Sequence, residues 1–515
     1  NGVHIAGTMQ STNGSIEEMI AIENNGVYEV TLSCTIGDTV EYMYLNSNVL
    51  GGNAETLDSL SCVLSGTGNR WLEVPDTDSL ILDIVCYNSC LACVDTLDGT
   101  VNNLDDLVIS LGTIFISLIP IALLTGPFLP DLLLSIVALL FLFQIIKNRE
   151  WTYFNNNFVK ILSIFYFIAI LSSFLSSNIF LSLESSFFYF RFLIFSIAVW
   201  FVIDNNKNFI NIFAITLLFA FLVSIIDGYY QYFFDINLFG FKAEGVRMSL
   251  LLNDKMLLGG FLVRLFPLLI AIYLFHKKHN IYFLFLISLL FILIDVLIYL
   301  SGERTSFALL AILTIFIILL ISRYKILRIV TFAISILLVV FLTIFSSDIR
   351  ERNINQTLSQ LGVDQEKRIS VFSPRHESHY ISALKMFIEN PMIGVGPKIF
   401  RQLCSEEKYN VNEDSCSTHP HNTYIQILAE MGIIGFSVFI IIPIYLVSKI
   451  ITHIYQYFRN GIRLLSDYQI CLIGCFLLTL WPLAPTLSFF NNWISVVYYL
   501  PIGFFLSTIY NNKTH

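Results

Sequence analysis

Charge is scarce in this 515-residue chain: 13% of its residues are Asp, Glu, Lys or Arg, against 56% that are hydrophobic. That balance, with a mean hydropathy of +0.72, excludes an ordinary water-soluble globular protein, and no nucleic-acid partner is expected at a net charge of −9. Basic residues are nearly missing from the first hundred positions, where Arg70 stands alone against 14 acidic residues, so this part reads as a separate soluble domain. Metal-ligand spacing is also lacking. His419 and His421 would meet a metal only by chance with nearby carboxylates, so neither a metal nor another cofactor is expected. No internal repeat stands out, which counts against a transporter built from paired broken helices.

What fills the chain is long apolar runs. About 20 apolar residues cross a bilayer as a helix, and such stretches recur at 107–125, 130–146, 158–176, 186–203, 208–226, 256–275, 280–300, 306–322, 328–346, 430–448, 468–487 and 491–509. The expectation is a polytopic α-helical membrane protein of about twelve spans. Positive residues fall on alternate loops: Lys147, Arg149 and Lys160; Lys207; His276, Lys277, Lys278 and His279; Arg323, Lys325 and Arg328; Lys449, Arg459 and Arg463; and Lys513. Those loops are read as cytoplasmic, which puts 227–255, 301–305 and the long segment 347–429 on the outer face.

The outer face collects the unusual residues. HPHNTYIQILAEMGIIGF, residues 419–436, sets His421 and Asn422 nine residues ahead of Gly432-x-x-Gly435 at the mouth of an apolar run. His421 suits proton chemistry near neutral pH, and the glycines allow close approach of a helix or lipid. Taken alone, such a His is more often a helix cap or an interfacial polar residue. Arg191, Arg247 and Arg304 stand where positive charge is disfavoured and together suggest an anion site, because a guanidinium grips phosphate oxygens with two donors. Their structural readings are snorkelling for Arg191, a salt bridge to Glu244 for Arg247 and pairing with Glu303 for Arg304. Residues 373–404 predict an amphipathic helix on the membrane surface, broken at Asn390-Pro391 and Gly394-x-Gly396, with Arg375, His376, His379 and His419 as secondary site candidates. Cys404 and Cys416 share this loop and are placed to pair, whereas Cys471 and Cys475 are read as core residues.

Together the HN-x9-GIIG arrangement, the NPMIGVGPKIF segment and the SGERTSF turn resemble the O-antigen ligase and O-antigen polymerase superfamily, over roughly residues 107–515. The resemblance implies a metal-independent membrane glycosyltransferase of the C-type (GT-C) architecture, in the bacterial inner membrane with its site facing the periplasm. Such enzymes take a glycan from an undecaprenyl-diphosphate carrier. A ligase gives it to lipid A core oligosaccharide, and a polymerase gives it to another carrier-linked glycan. His421 would then activate the acceptor hydroxyl while Arg247 and Arg304, with Arg191 as a third, bind the diphosphate. A lipid-linked glycan transporter is the distant alternative, and it predicts polar residues at midspan on several helices.

Residues 1–97 read as an all-β sandwich followed by an acidic linker at 98–106. GVYEVTLSCTIGDTVEYMYLN, residues 26–46, predicts an antiparallel hairpin turning at Gly37-Asp38. With GVHIAGTMQ and GNRWLEVPDTD, the segment resembles immunoglobulin-like early-set carbohydrate-binding modules. That likeness makes Trp71 and Tyr42 or Tyr44 a possible sugar platform, core or rim residues being the other reading. Cys34, Cys62, Cys86, Cys90 and Cys93 suggest one or two disulfides and an oxidising compartment. Twelve spans, however, put this end in the cytoplasm. An odd number of spans or a joining of unrelated pieces would reconcile the two, and a start at Asn1 without Met reads as a fragment, a processed form or a chimera.

Overall fold

The structure is a computed structural model that describes residues 4–8, 16–22, 27–45, 69–74, 104–242, 247–252, 255–275, 280–360 and 372–510. The chain divides into two compact units, Asn1–Asn103 and Leu104–His515.

Two small antiparallel sheets make up the described part of the first unit. Strands β1 (His4–Gly7), β2 (Ile16–Glu18), β5 (Thr39–Leu45) and β6 (Arg70–Glu73) form one in the order β2-β1-β5-β6, and β3 (Ile20–Ile22) pairs with β4 (Val27–Glu29) in the other. The hairpin expected over 26–46 does not form. Gly37 donates to the Val74 carbonyl and Asp38 accepts from Val74, so the turn is tied to the end of β6, and β5 pairs with β1 and β6 instead of β4. Ile5 and Val40 are the buried centre, with Tyr42 and Tyr44 packed against them. Trp71 is 42% exposed, and the Arg70 guanidinium covers the Tyr44 ring at 4.9 Å. Cys34 is described; the other four cysteines of this unit lie outside the described residues.

The second unit is a multi-pass membrane protein. Its helices are α1 (Leu104–Ala122), α2 (Phe128–Asn148), α3 (Asn157–Phe174), α4 (Ile179–Ser186), α5 (Phe190–Asn205), α6 (Phe209–Phe234), α7 (Leu258–Phe275), α8 (Ile281–Leu300), α9 (Arg304–Leu320), α10 (Lys325–Phe345), α11 (Ser347–Arg350), α12 (Gln356–Gln360), α13 (Pro374–Glu389), α14 (Phe400–Leu403), α15 (Thr423–Asn460), α16 (Asp467–Thr479) and α17 (Asn492–Tyr510). Among the described residues ten helices are long and apolar enough to span, and α9 and α16 are shorter apolar helices. Asn156, Asn178, Asn280 and Asn422 accept backbone hydrogen bonds as N-caps and Ser466 builds a capping box, which satisfies donors that have no partner within a helix. Helix α7 is buried along nearly its whole length and forms the middle of the bundle.

Several expectations are corrected here. The eleventh span ends at Thr479, short of residue 487, because Pro482 and Pro485 follow and cannot continue the backbone ladder; the freed segment bonds to His419 and His421 through Thr486. Asp105 and Asp106 belong to the first turn of α1, where they suit the helix dipole, rather than to a linker. His276 to His279, Glu244 and Lys513 lie outside the described residues. Arg328, assigned to a cytoplasmic loop, is instead buried in α10. Its Nη1 and Nη2 donate to the two carboxylate oxygens of Asp295 on α8 at 2.7 and 3.1 Å, and Nη2 also donates to Thr314 of α9 at 2.5 Å. Ser335 adds a bond to the same carboxylate at 3.1 Å. Buried, mutually bonded polar residues are thus present within three helices, α8, α9 and α10, beyond the arginines noted in the sequence.

That pair ties α8 to α10 with every acceptor oxygen used. Removing one partner leaves the other charge buried and uncompensated, at a cost of about 3–5 kcal/mol. D295A is therefore expected to lower thermal stability in detergent sharply, with R328M in the same chain restoring much of it. A D295A protein as stable as wild type would show the pair to be dispensable.

Candidate functional site

Where α15 begins, the two glycine motifs interlock. Gly432 interrupts α15 with φ 63° and ψ −168°, a conformation that only glycine adopts without strain. The segment 390–397 fills the break: Ile433 donates to the Pro391 carbonyl at 2.8 Å, Ile434 to Met392 at 3.2 Å, Val395 to Ala429 at 3.0 Å and Gly396 to Glu430 at 2.9 Å. Ser172 of α3 clamps both strands of this junction through Ile393 and Glu430 carbonyls. A Cβ on Gly432 would stand 2.4 Å from Met392 backbone atoms, and one on Gly394 would stand 2.5 Å from the backbone at Glu430 and Met431. The close approach expected at Gly432 is therefore that of a loop of the same chain; Gly435 meets Met431 and Ile168.

The same loop carries α13, whose face with Ala383 and Met386 is buried against Val395, Ile399, Phe400, Tyr409 and Ala429. It is packed into the body of this segment rather than merely resting on a surface. Its other apolar row, Ile381, Leu384 and Ile388, is exposed. Cys404 and Cys416 are joined by a disulfide, and Cys471 and Cys475 are buried in α16, as expected.

Four imidazoles converge where α13 meets the start of α15. The His421 ring lies 4.0 Å from that of His419, 5.3 Å from His379 and 5.4 Å from His376, centre to centre. The roles of these rings differ. His419 is buried, with Nδ1 bonded to Thr418 and Nε2 to the Thr486 carbonyl, and His376 is bonded to Ser373. Asn422 spends its amide on structure: Oδ1 accepts from Tyr424 and Ile425, and Nδ2 donates to Pro482. His421 has no side-chain hydrogen bond among the described residues and holds a left-handed backbone, φ 60°, pinned by the Thr486 N–H on its carbonyl at 2.8 Å. Burial, followed by the neighbouring imidazoles, pushes His421 down to about 3; burial also pushes His419 down to about 4. Both rings are neutral at neutral pH, and of the two it is His421 whose ring nitrogens are uncommitted; those of His379, 1% exposed, also have no partner among the described residues. Arg375 is exposed, 4.0 Å from Asp414.

A second group gathers around Glu303 in the α8–α9 turn. Its Oε1 accepts from the Gly259 N–H at 2.8 Å and Oε2 from Ser306 at 3.0 Å. Burial pushes this carboxyl up, against the pull of Ser306, Arg264 and Arg247 nearby. Arg304 donates to Thr357 at 2.9 Å, and Arg247 contacts the Met256 carbonyl at 3.4 Å; each feels the other's charge. Arg191 is held elsewhere. Its Nε and Nη2 donate to Asp131 at 3.0 and 2.7 Å, and Asn492 binds the same carboxylate, so an anion at Arg191 would have to displace Asp131.

Three basic residues escaped the sequence reading. Arg264 sits inside α7, where averaging hydropathy over a span hides a single charge; the signal was an arginine within LLGGFLVRLFPLL, since intramembrane charge is functional by default. Lys398 and Arg401 follow the Gly396 turn and act on Glu430, and Arg401 also acts on His419. Below the histidines, an apolar groove of about 290 Å³ runs between α3, α15, α16 and α17, lined by Phe165, Phe439, Phe489, Tyr498 and Phe505 among others. Its outer end meets the His421 segment, because Phe489 donates to Gln426 and the Tyr424 hydroxyl donates to Leu480. Among the described residues no group of three His, Cys, Asp or Glu is set to hold a metal ion.

Comparison with known proteins adds one finding. Residues 287–440 match the family model described as O-Antigen ligase. That span takes in Glu303, Arg304, the outer loop, all four histidines and the Gly432 junction, and leaves Arg191, Arg247 and Arg264 outside it. No curated protein matches the chain.

Proposed function

Starting from an O-antigen ligase domain at residues 287–440, we propose that this membrane glycosyltransferase moves a glycan from undecaprenyl diphosphate to lipid A core oligosaccharide at the periplasmic face of the bacterial inner membrane. The observations that support the reading are a neutral His421 with no side-chain hydrogen bond among the described residues and a separate gathering of guanidinium groups around Glu303. In the reaction, the acceptor hydroxyl oxygen bonds to the anomeric carbon and gives its proton to the imidazole. The bond from that carbon to the diphosphate oxygen breaks, and the diphosphate leaves on its carrier. Glycosyl diphosphates already hold a good leaving group, so catalysis requires orientation and stabilisation of charge on the departing oxygens. Arg247 and Arg304 serve the second need and His421 the first. As the anion binds, its negative charge raises the basicity of the nearby imidazole. The apolar groove suits a hydrocarbon chain whose head lies at the histidines.

An O-antigen polymerase, with a carrier-linked glycan as acceptor, uses the same chemistry and differs only in the acceptor. The enzyme reading is favoured over a lipid-linked glycan transporter by the Asp295–Arg328 pair, whose charges neutralise each other within the bundle.

Changing a two-pronged guanidinium to a point charge tests the anion site. R247K and R304K are each expected to raise the donor KM about tenfold, the worth of one charge-assisted bond, with the acceptor KM unchanged. Full activity in both variants would contradict the diphosphate assignment.

A further inference from the structure

Arg264 is a permanent charge inside the bundle whose bonding is incomplete. Its residue is 8% exposed. Nη1 donates to the Gly260 carbonyl of its own helix at 3.2 Å, and Nε has no partner among the described residues. A guanidinium cannot shed its proton to escape burial, and a buried donor left unsatisfied costs about 1–3 kcal/mol or more when charged. Such an arrangement persists where something else completes it.

The surroundings indicate what completes it. A Cβ on Gly260 would stand 2.9 Å from Arg264 Nη1 and 3.3 Å from Glu303 Oε2, so both charged ends border the space this glycine leaves open, and the charge of Arg264 acts on the Glu303 carboxyl. From the loop before α7, Arg247 acts on the same Glu303 carboxyl. From α17, the buried Tyr498 hydroxyl feels the charge of Arg264 and lies near Thr423, and Thr423 lies two residues past His421. Arg264 therefore stands between the Arg247–Glu303–Arg304 group and the histidine segment, where the bond from sugar to diphosphate must lie if the two groups serve one reaction.

Resting on the donor assignment above, we propose that Arg264 is a third guanidinium for the lipid donor's diphosphate, aimed by Glu303. Glu303 is then a positioning residue: it sets the guanidinium's direction, and the arriving phosphate oxygens supply the missing acceptors. Arg191, committed to Asp131, is replaced by Arg264 in that role.

The test uses the full chain in detergent with farnesyl diphosphate as the probe and farnesol as its uncharged control, read as thermal stabilisation against ligand concentration. Wild type is expected to be stabilised by farnesyl diphosphate and not by farnesol. R264Q, with an unchanged melting temperature when no ligand is present, is expected to need at least about tenfold more farnesyl diphosphate. Where R264Q does not fold, R264K keeps the charge without the fork and is expected to show the same weakening. In transfer assays the donor KM rises and the acceptor KM does not, a split that a merely structural role would not produce. A folded R264Q or R264K with wild-type affinity overturns the Arg264 assignment and leaves the enzyme reading standing. No stabilisation of wild type by farnesyl diphosphate overturns both.

Discussion

Replacing His421 with alanine is expected to lower glycan transfer by about 10²- to 10⁴-fold, the range that one positioned acid–base group supplies, while membrane insertion and melting temperature stay near wild type. The side chain makes no hydrogen bond among the described residues, so its loss removes chemistry and little structure; the backbone bond from Thr486 survives. The pH dependence sharpens the test. A base works when unprotonated, and burial lowers His421 to about 3. Its active form is then populated throughout the neutral range, and kcat/KM, which reports the free enzyme, should show no fall attributable to His421 as pH drops from 8 to about 5. The linked stability effect has the opposite visibility: an unfolded imidazole takes up a proton below about 6.5 and the folded His419 and His421 do not. Stability is full above that value and is lost as pH falls toward the folded values. An acid limb near 6.5 that vanishes in H421A would refute this account of the imidazole's state.

Gly432→Ala is expected to be nearly as damaging, although it touches no substrate. The added methyl meets Met392 backbone atoms at 2.4 Å, and the backbone region costs a non-glycine residue on the order of 1–3 kcal/mol. Displacing the 390–397 loop removes the bonds that hold the start of α15, and a misplacement of about 1 Å at a reacting group can cost 100-fold in rate. Gly461→Ala provides the control. It has a similar φ of 66° with a ψ of 11°, the milder left-handed region, and nothing within 4 Å, so it tests a positive-φ glycine without collision and should leave transfer intact. Equal activity of both variants would mean the junction does not position His421.

What was legible in the sequence follows from the range of the forces involved. Apolar windows place spans, because each helix must satisfy its own backbone and face lipid along its length. The cluster of His421 with His376, His379 and His419 was within reach, since all four lie in one outer loop. Helix ends were harder: the stop at Thr479 depends on prolines embedded in a segment still apolar enough to pass for a span. Partnerships between distant positions were harder again. Arg328 looked like a loop charge because its partner, Asp295, sits on another helix, and Arg191 looked available because Asp131 is 60 residues away. GIIG read as a place of close approach to a helix or lipid and NPMIGVG as a helix break; that the second fills a break in the helix carrying the first is a property of the pair. In the first unit, alternation over 26–46 suggested a hairpin, but a strand's partner is set by which turns dock elsewhere, and Val74 takes the Gly37-Asp38 turn.

The central claim is best tested by glycan transfer in vesicles supplied with an undecaprenyl-diphosphate oligosaccharide and, separately, with lipid A core or a second carrier-linked glycan as acceptor. The account predicts covalent product on lipid A core that disappears with His421→Ala. Chain extension on the carrier alone would make the protein a polymerase, and movement of intact lipid between leaflets with no covalent product would contradict an enzyme altogether.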